Sequence, residues 1–174
     1  MKNTEAKSNM LLALFIPVLL LAGILIQGCA RKQTDDITAL IAQVENEVWN
    51  KGNVDLLDEI YDSGCTLHVG SSMTMVGTQG LKQMITMFRE EIPDRRFTID
   101  EIFSVGNKVA ERYTWQGTHT STGKELKVSG CVIYHVTNGK IVEAWSFEDM
   151  LGFYQQLGLV PLQPPMGKGA ESEE

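Results

Sequence analysis

The chain is poor in the residues that build the commonest metal and nucleophile centres. It has three histidines, His68, His119 and His135, and no two have the short spacing of a local metal pair. HExxH and CxxC strings are missing, so no metal ion or other cofactor is expected. There is no glycine-rich phosphate loop and no Gly-x-Ser-x-Gly nucleophile elbow. No basic run of five or more occurs, and the formal charge is -7. That balance argues against a nucleic-acid partner. No internal repeat is visible, and the length suits one domain rather than two.

What is present begins with an apolar run from Leu11 to Ile26, short for a spanning helix, which needs about 20 residues. Lys2 and Lys7 precede it, and Gly28-Cys29 follows. A positive start, an apolar middle and a small residue at the cut make a secretory signal. Ile26-Gln27-Gly28-Cys29 resembles the lipobox of bacterial lipoproteins. That resemblance implies removal of residues 1–28, lipidation of Cys29 and a membrane-anchored chain on the exported side. Ala30 is not the aspartate of the inner-membrane retention signal, which points to the outer membrane where one exists. An uncleaved anchor helix is the alternative. The two remaining cysteines, Cys65 and Cys131, sit in strand-like runs, where a disulfide and buried free thiols are both open.

Residues 29–36 read as a polar tether, 37–160 as one folded domain, and 161–174 as a disordered acidic tail. Ile37, Leu40, Ile41, Val44, Val48 and Trp49 have helical spacing. Leu56, Leu57, Ile60 and Tyr61 form a second short face, and Leu81, Met84, Ile85 and Phe88 a third, stopped at Pro93. Cys65 to Val69 reads as a strand after a Ser63-Gly64 turn, and Met73 and Met75 as a soft loop rim. From Arg96 the period becomes two. Strands are expected over 97–103, 109–120, 126–136 and 141–147, the last two joined by Asn138-Gly139, with a closing helix over 151–157. Helices first and hairpin strands afterwards give an α+β architecture, and Gly117 and Gly130 suggest bends in long strands.

Several strings now resemble the SnoaL-like polyketide cyclase and ester cyclase branch of the nuclear transport factor 2 (NTF2-like) superfamily. They are Pro93-Asp94 with Phe97-Thr98, Gly117-Thr118-His119-Thr120, Gly139-Lys140-Ile141-Val142-Glu143-Ala144-Trp145, Asp149-Met150-Leu151-Gly152, and Gln156-Leu157-Gly158. The resemblance covers 37–160. It implies a cone in which a curved antiparallel sheet wraps around three N-terminal helices. Ala144 stands where many relatives have histidine, and Ser121 where glycine is common.

The resemblance also implies that Asp149, matching the family's aspartate, moves a proton. A carboxyl group facing an apolar cavity is suited to that, because burial raises its pKa. Asp149 is equally suited to capping the closing helix. His119 shares strand parity with Tyr113, Trp115 and Gly117 and could polarise a substrate carbonyl, or simply sit hydrogen-bonded at a strand end. Tyr113, Trp115, Trp145, His68 and Tyr61 are the candidate ligand-binding residues. His135 suits the outer face of the sheet, and Arg95-Arg96 a solvated corner. One cavity lined by Asp149, His119, Tyr113 and Trp145 is therefore expected, holding a small, mostly apolar molecule with a carbonyl group. Three function classes stay open: a cofactor-free cyclase or isomerase, a non-catalytic binding module of the cell envelope, and an interaction domain that forms a homodimer through its sheet.

Overall fold

The computed structural model describes residues 36–161. The expectations for the signal, Cys29, the tether and the acidic tail fall outside them. Helix α1 runs through 36–50, α-helical over 36–43 and widened to π-helical turns over Val44–Asn50. A 3-10 turn at Val54–Leu56 leads into the short α2, Leu57–Ile60. Strands β1 (Tyr61–Val69) and β2 (Met73–Val76) form a hairpin, and α3 (Gln79–Glu91) follows. Then come β3 (Arg96–Val105), β4 (Lys108–Thr118), β5 (Glu125–Thr137), β6 (Lys140–Glu148) and α4 (Met150–Leu157).

The six strands form one sheet in the order β2-β1-β6-β5-β4-β3. All neighbours are antiparallel except β1 and β6, which run parallel, so the sheet is mixed rather than purely antiparallel. The β1–β2 hairpin enters the sheet before α3, and the last strand then returns alongside β1. Strand β1 also begins earlier than the sequence suggests. Tyr61 and the Ser63-Gly64 pair lie inside it, and the Met73–Met75 rim is itself a strand.

The core lies between the concave sheet face and the helices. Ile37, Ile41, Val44 and Val48 of α1 are buried against it, with Val109, Tyr113 and Trp115 of β4 and Val128, Val132 and Tyr134 of β5. Curvature comes from register shifts between Tyr61 and Thr66, Ile99 and Glu101, and His135 and Val136. Pairing is unbroken at Gly117 and Gly130, so neither glycine is a bulge. Both are places of close approach. A Cβ on Gly130 would lie 2.5 Å from the Tyr113 hydroxyl, and one on Gly117 would lie 2.4 Å from Ile92. Asn138 (φ 52°) and Gly139 (φ 76°) adopt the left-handed conformations that a two-residue hairpin needs.

On the convex face, pairing sets Phe103, Ala110, Ile133, Trp145 and His68 side by side on five strands. Cys65 is buried and Cys131 exposed, and both thiols are free. The cysteines are thus unpaired, and of the two only Cys65 is a buried free thiol. No helix among the described residues is long and apolar enough to cross a membrane.

Candidate active site in the cone

A cavity of about 810 Å³ opens between the concave face and α1, α3 and α4. That is within the usual range for a site holding a small organic molecule. Leu67, Leu81, Met84, Phe88 and Val132 supply apolar wall. Met73, Met87, Met150 and Tyr154 surround its opening and are all substantially exposed. Its polar lining is Glu45, Tyr61, Arg95, Tyr113, Tyr134 and Glu148, with His68, Ser72, Gln83 and Ser146 beside them.

Glu148 is placed by strand alternation. Ala144, Ser146 and Glu148 of β6 all line the cavity from the concave face. One Glu148 oxygen accepts a 2.6 Å hydrogen bond from the Tyr113 hydroxyl. The same oxygen lies 3.6 Å from Nη2 of Arg95. A carboxylate is thus held between a phenol and a guanidinium.

Arg95 departs from the expected solvated corner; it is 5 % exposed. The turn before it explains this. The Asp94 carboxylate accepts from the Thr118 backbone N–H at 2.7 Å and from the Thr118 hydroxyl at 2.9 Å. With Asp94 pinned outward to β4, the next side chain turns inward. The Arg95 guanidinium then sits among four aromatic rings, 4.0 Å from Trp115 and 4.6, 4.7 and 5.2 Å from Phe97, Phe88 and Trp49. Ring faces attract a cation, which offsets part of the cost of burying it. Burial still pulls its pKa down to about 10, with Glu148 opposing the fall, so Arg95 is charged at neutral pH.

Glu45 projects from α1 at 3 % exposure. Burial holds its carboxyl well above the ordinary value, and nearby Glu111 adds to the effect. Glu111, on β4 between Val109 and Tyr113, is 2 % exposed, and burial pushes it up to about 7. Burial also raises the phenols of Tyr61, Tyr113 and Tyr134, so all three keep their protons.

The expected site residues divide. Tyr113 and Tyr61 line the cavity, and His68 reaches it at the opening. The His68 ring is committed elsewhere: it stacks on Trp145 at 5.2 Å, and its nitrogens meet Glu143 at 3.1 Å and Thr74 at 3.3 Å. Trp145 therefore belongs to the convex row rather than to the cavity wall. Trp115 is 1 % exposed and does not line the cavity; it packs beneath the Arg95 guanidinium. His119 is not brought in. Strand β4 stops at Thr118, and His119 starts a turn closed by its N–H to the Lys124 carbonyl at 2.9 Å, with its ring at 2.9 Å from the Thr122 hydroxyl. Asp149 is exposed and caps α4, accepting from the Gly152 N–H at 2.8 Å. The structure therefore places Asp149 just past the strand, with Glu148 one residue earlier facing the cavity.

Among the polar lining groups, Glu148, Glu45, Tyr134 and Arg95 went unread as such in the sequence, although a local signal existed for the first two. Glu148 shares parity with Ala144. Glu45 lies four residues from Ile41 in the apolar stripe of α1. Arg95 follows a turn whose aspartate has a partner only in three dimensions. Among the described residues no group of histidine, cysteine and carboxylate side chains could hold a metal ion.

Comparison with known proteins gives the family and the fold. The SnoaL-like polyketide cyclase family matches residues 39–157. A candidate polyketide cyclase from Bacillus cereus ATCC 10987 is 30% identical, with a TM-score of 0.65 over 72% of this chain and 82% of that one. IdmH, a candidate polyketide cyclase from Streptomyces antibioticus, is 25% identical, with a TM-score of 0.62 over 70% and 98%. A candidate SnoaL-like polyketide cyclase from Jannaschia sp. CCS1 shares the fold at 15% identity, with a TM-score of 0.68 over 74% and 95%. No curated protein matches the chain.

Proposed function

Since the chain belongs to the SnoaL-like polyketide cyclase family, we propose that its cavity carries out cofactor-free proton transfer on a small, mostly apolar carbonyl compound, in a cyclase or isomerase type of reaction. The observation that carries this reading is Glu148, a cavity-facing carboxylate held by Tyr113 at 2.6 Å and Arg95 at 3.6 Å. Both neighbours present hydrogen-bond donors to that oxygen.

In this mechanism the substrate's apolar body rests on the methionine and aromatic walls. A carbon next to its carbonyl approaches Glu148. The C–H bond breaks, the proton passes to a carboxylate oxygen, and the electron pair moves to the carbonyl oxygen as an enolate. Arg95, charged and close by, stabilises that negative charge. The enolate carbon then attacks an electrophilic carbon of the same molecule, closing a ring, or takes the proton back at a different atom. Glu148 is anionic again at the end of an isomerisation. In a ring closure it returns its proton to the new alkoxide.

The test is deuterium exchange. With β-tetralone in heavy water, the protein should speed incorporation beside the carbonyl over the uncatalysed rate, and Glu148→Gln should abolish the gain while leaving ketone binding nearly intact. Equal exchange in both proteins would refute the assignment.

A binding module is favoured by one observation: the opening is ringed by exposed methionines, side chains that adapt to varied apolar ligands. Exchange separates the two, because a binding module would not accelerate it. The same reading includes two features supported by pattern alone. Lipidation of Cys29 would tether the domain to a membrane on its exported face. The convex row with exposed Phe103 and Ile133, and Phe147 nearby, would suit a second copy of the chain.

A further inference from the structure

The mechanism above leaves two buried acids unused. Glu45 lines the inner part of the cavity, and its Oε2 is buried without any hydrogen-bond partner. Glu111 lies behind it, and neither of its oxygens has a partner either. Two ionised carboxylates in this position would face each other with no donor between them. The groups around them cannot neutralise both. Tyr61 comes from β1 and Tyr134 from β5, both buried phenols, and Tyr113 and Glu148 lie beyond. Among the described residues the cation that acts on Glu45, Arg95, is already opposed to Glu148.

Burying a lone charge is far more costly than burying a neutral carboxyl group. Glu45 therefore sits well above the ordinary carboxyl range and Glu111 near 7, both chiefly through burial. The Tyr134 hydroxyl, beside Glu111 but outside good hydrogen-bonding geometry, draws Glu111 back only in part. A protonated carboxyl group is a donor as well as an acceptor. The inner part of the cavity is then lined by an acid O–H and the phenols Tyr61 and Tyr134, with no anion among them.

We propose that Glu45 and Glu111 form a proton-holding carboxyl pair, and that the Glu45 carboxyl group is a second polar subsite of the cavity, donating a hydrogen bond to the neutral carbonyl oxygen of a ketone or ester. This rests on reading the cavity as a ligand site. It adds a selectivity: neutral carbonyl compounds enter this end, and carboxylates are disfavoured because burying their charge in this apolar pocket costs far more than burying a ketone. It also separates two roles. Glu148, with a cation and a donor beside it, accepts a proton at one end, and Glu45 offers one at the other.

The experiment has two arms on the full folded domain. Carbon NMR of the side-chain carboxyls should show Glu45 still protonated at neutral pH, and ionisation of both Glu45 and Glu111 there would overturn the pair. In the second arm, binding of β-tetralone is compared with binding of naphthoate, a carboxylate of similar size. The ketone should bind, with its infrared carbonyl stretch lowered, and naphthoate should not. Glu45→Met, which keeps the volume and removes the donor, should return the stretch toward its free value and weaken the ketone about tenfold. Glu45→Gln, which keeps a donor, should retain most of the binding. Naphthoate binding as tightly as the ketone, no saturable ketone binding, or an unshifted stretch in the native protein would each overturn the subsite. Failure here leaves the Glu148-dependent exchange untouched, and failure of that exchange leaves the proton count and the stretch untouched.

Discussion

Replacing Glu111 by glutamine tests the electrostatics of the core without touching the cavity wall. Glu111 is 2 % exposed, and its pKa rises from 4.5 to about 7 on folding, chiefly by burial. In the unfolded chain the group is solvated and ionises near its ordinary value. Between the two values the folded state holds the proton that the unfolded state has lost. Stability is therefore fully present below about pH 4.5, falls as the pH rises towards 7, and stays low above it. At about 1.4 kcal/mol per pH decade the loss amounts to about 3 kcal/mol. Glutamine cannot ionise, so Glu111→Gln should be close to wild type at about pH 4.5 and more stable by up to about 3 kcal/mol at about pH 8.5. Glu45 adds in the same direction, because Glu111 is the second cause of its own elevation. Urea unfolding at both pH values is the assay. With a slope of about 2 kcal/mol per molar urea, the midpoints should separate by about 1.5 M in the alkaline buffer. A midpoint difference that does not change with pH, or a wild type that gains stability between these pH values relative to the variant, would refute the reasoning.

Gly130→Ala places a Cβ 2.5 Å from the Tyr113 hydroxyl and 2.9 Å from the Phe147 carbonyl. The ring must shift away from Glu148, and melting should show a loss of about 1–3 kcal/mol, with slower deuterium exchange in any variant that still folds. Asp149→Ala removes a helix cap and should cost about 1 kcal/mol in denaturation while leaving β-tetralone exchange unchanged. The contrast with Glu148→Gln decides which of these adjacent carboxylates meets the ligand. For the anchor, mass spectrometry of the membrane fraction should find an acylated Cys29 at the N-terminus, and Cys29→Ser should release the domain from membranes; an intact Met1 end would contradict it.

The elements were legible where a period was strong. Alternation marked β3 to β6, and the Asn138-Gly139 pair fixed the hairpin between the last two strands. The apolar stripe of α1 named most of the core it covers. What was not legible depends on partners far along the chain. The parallel neighbourhood of β1 and β6 leaves no local trace. Arg95 points inward because Thr118 holds Asp94, 24 residues away. Motif matching drew the eye to Asp149, but a motif fixes a stretch of chain and not the side of a strand. The one-residue difference between Asp149 and Glu148 is the difference between a helix cap and a cavity wall. His119 shared parity with Tyr113 on paper, yet parity has meaning only as far as the strand extends.

The π-helical turns of α1 make chain length itself a property of the cavity. Over Val44–Asn50 the helix closes rings wider than those of an α-helix. Within this stretch lie Glu45, then Trp49, which touches Arg95, then Asn50, whose amide bonds both backbone groups of Phe97, at 2.7 and 3.1 Å. A substitution here alters one of these contacts. Loss of a single codon here would let the backbone rewind to the tighter α form, in which fewer residues complete each turn, so the residues on either side keep nearly the same facing while the turn between them is drawn in. The widened turns thus mark where this helix can lose a residue and keep both ends seated, and relatives one residue shorter at this point should keep the contacts of its two flanks.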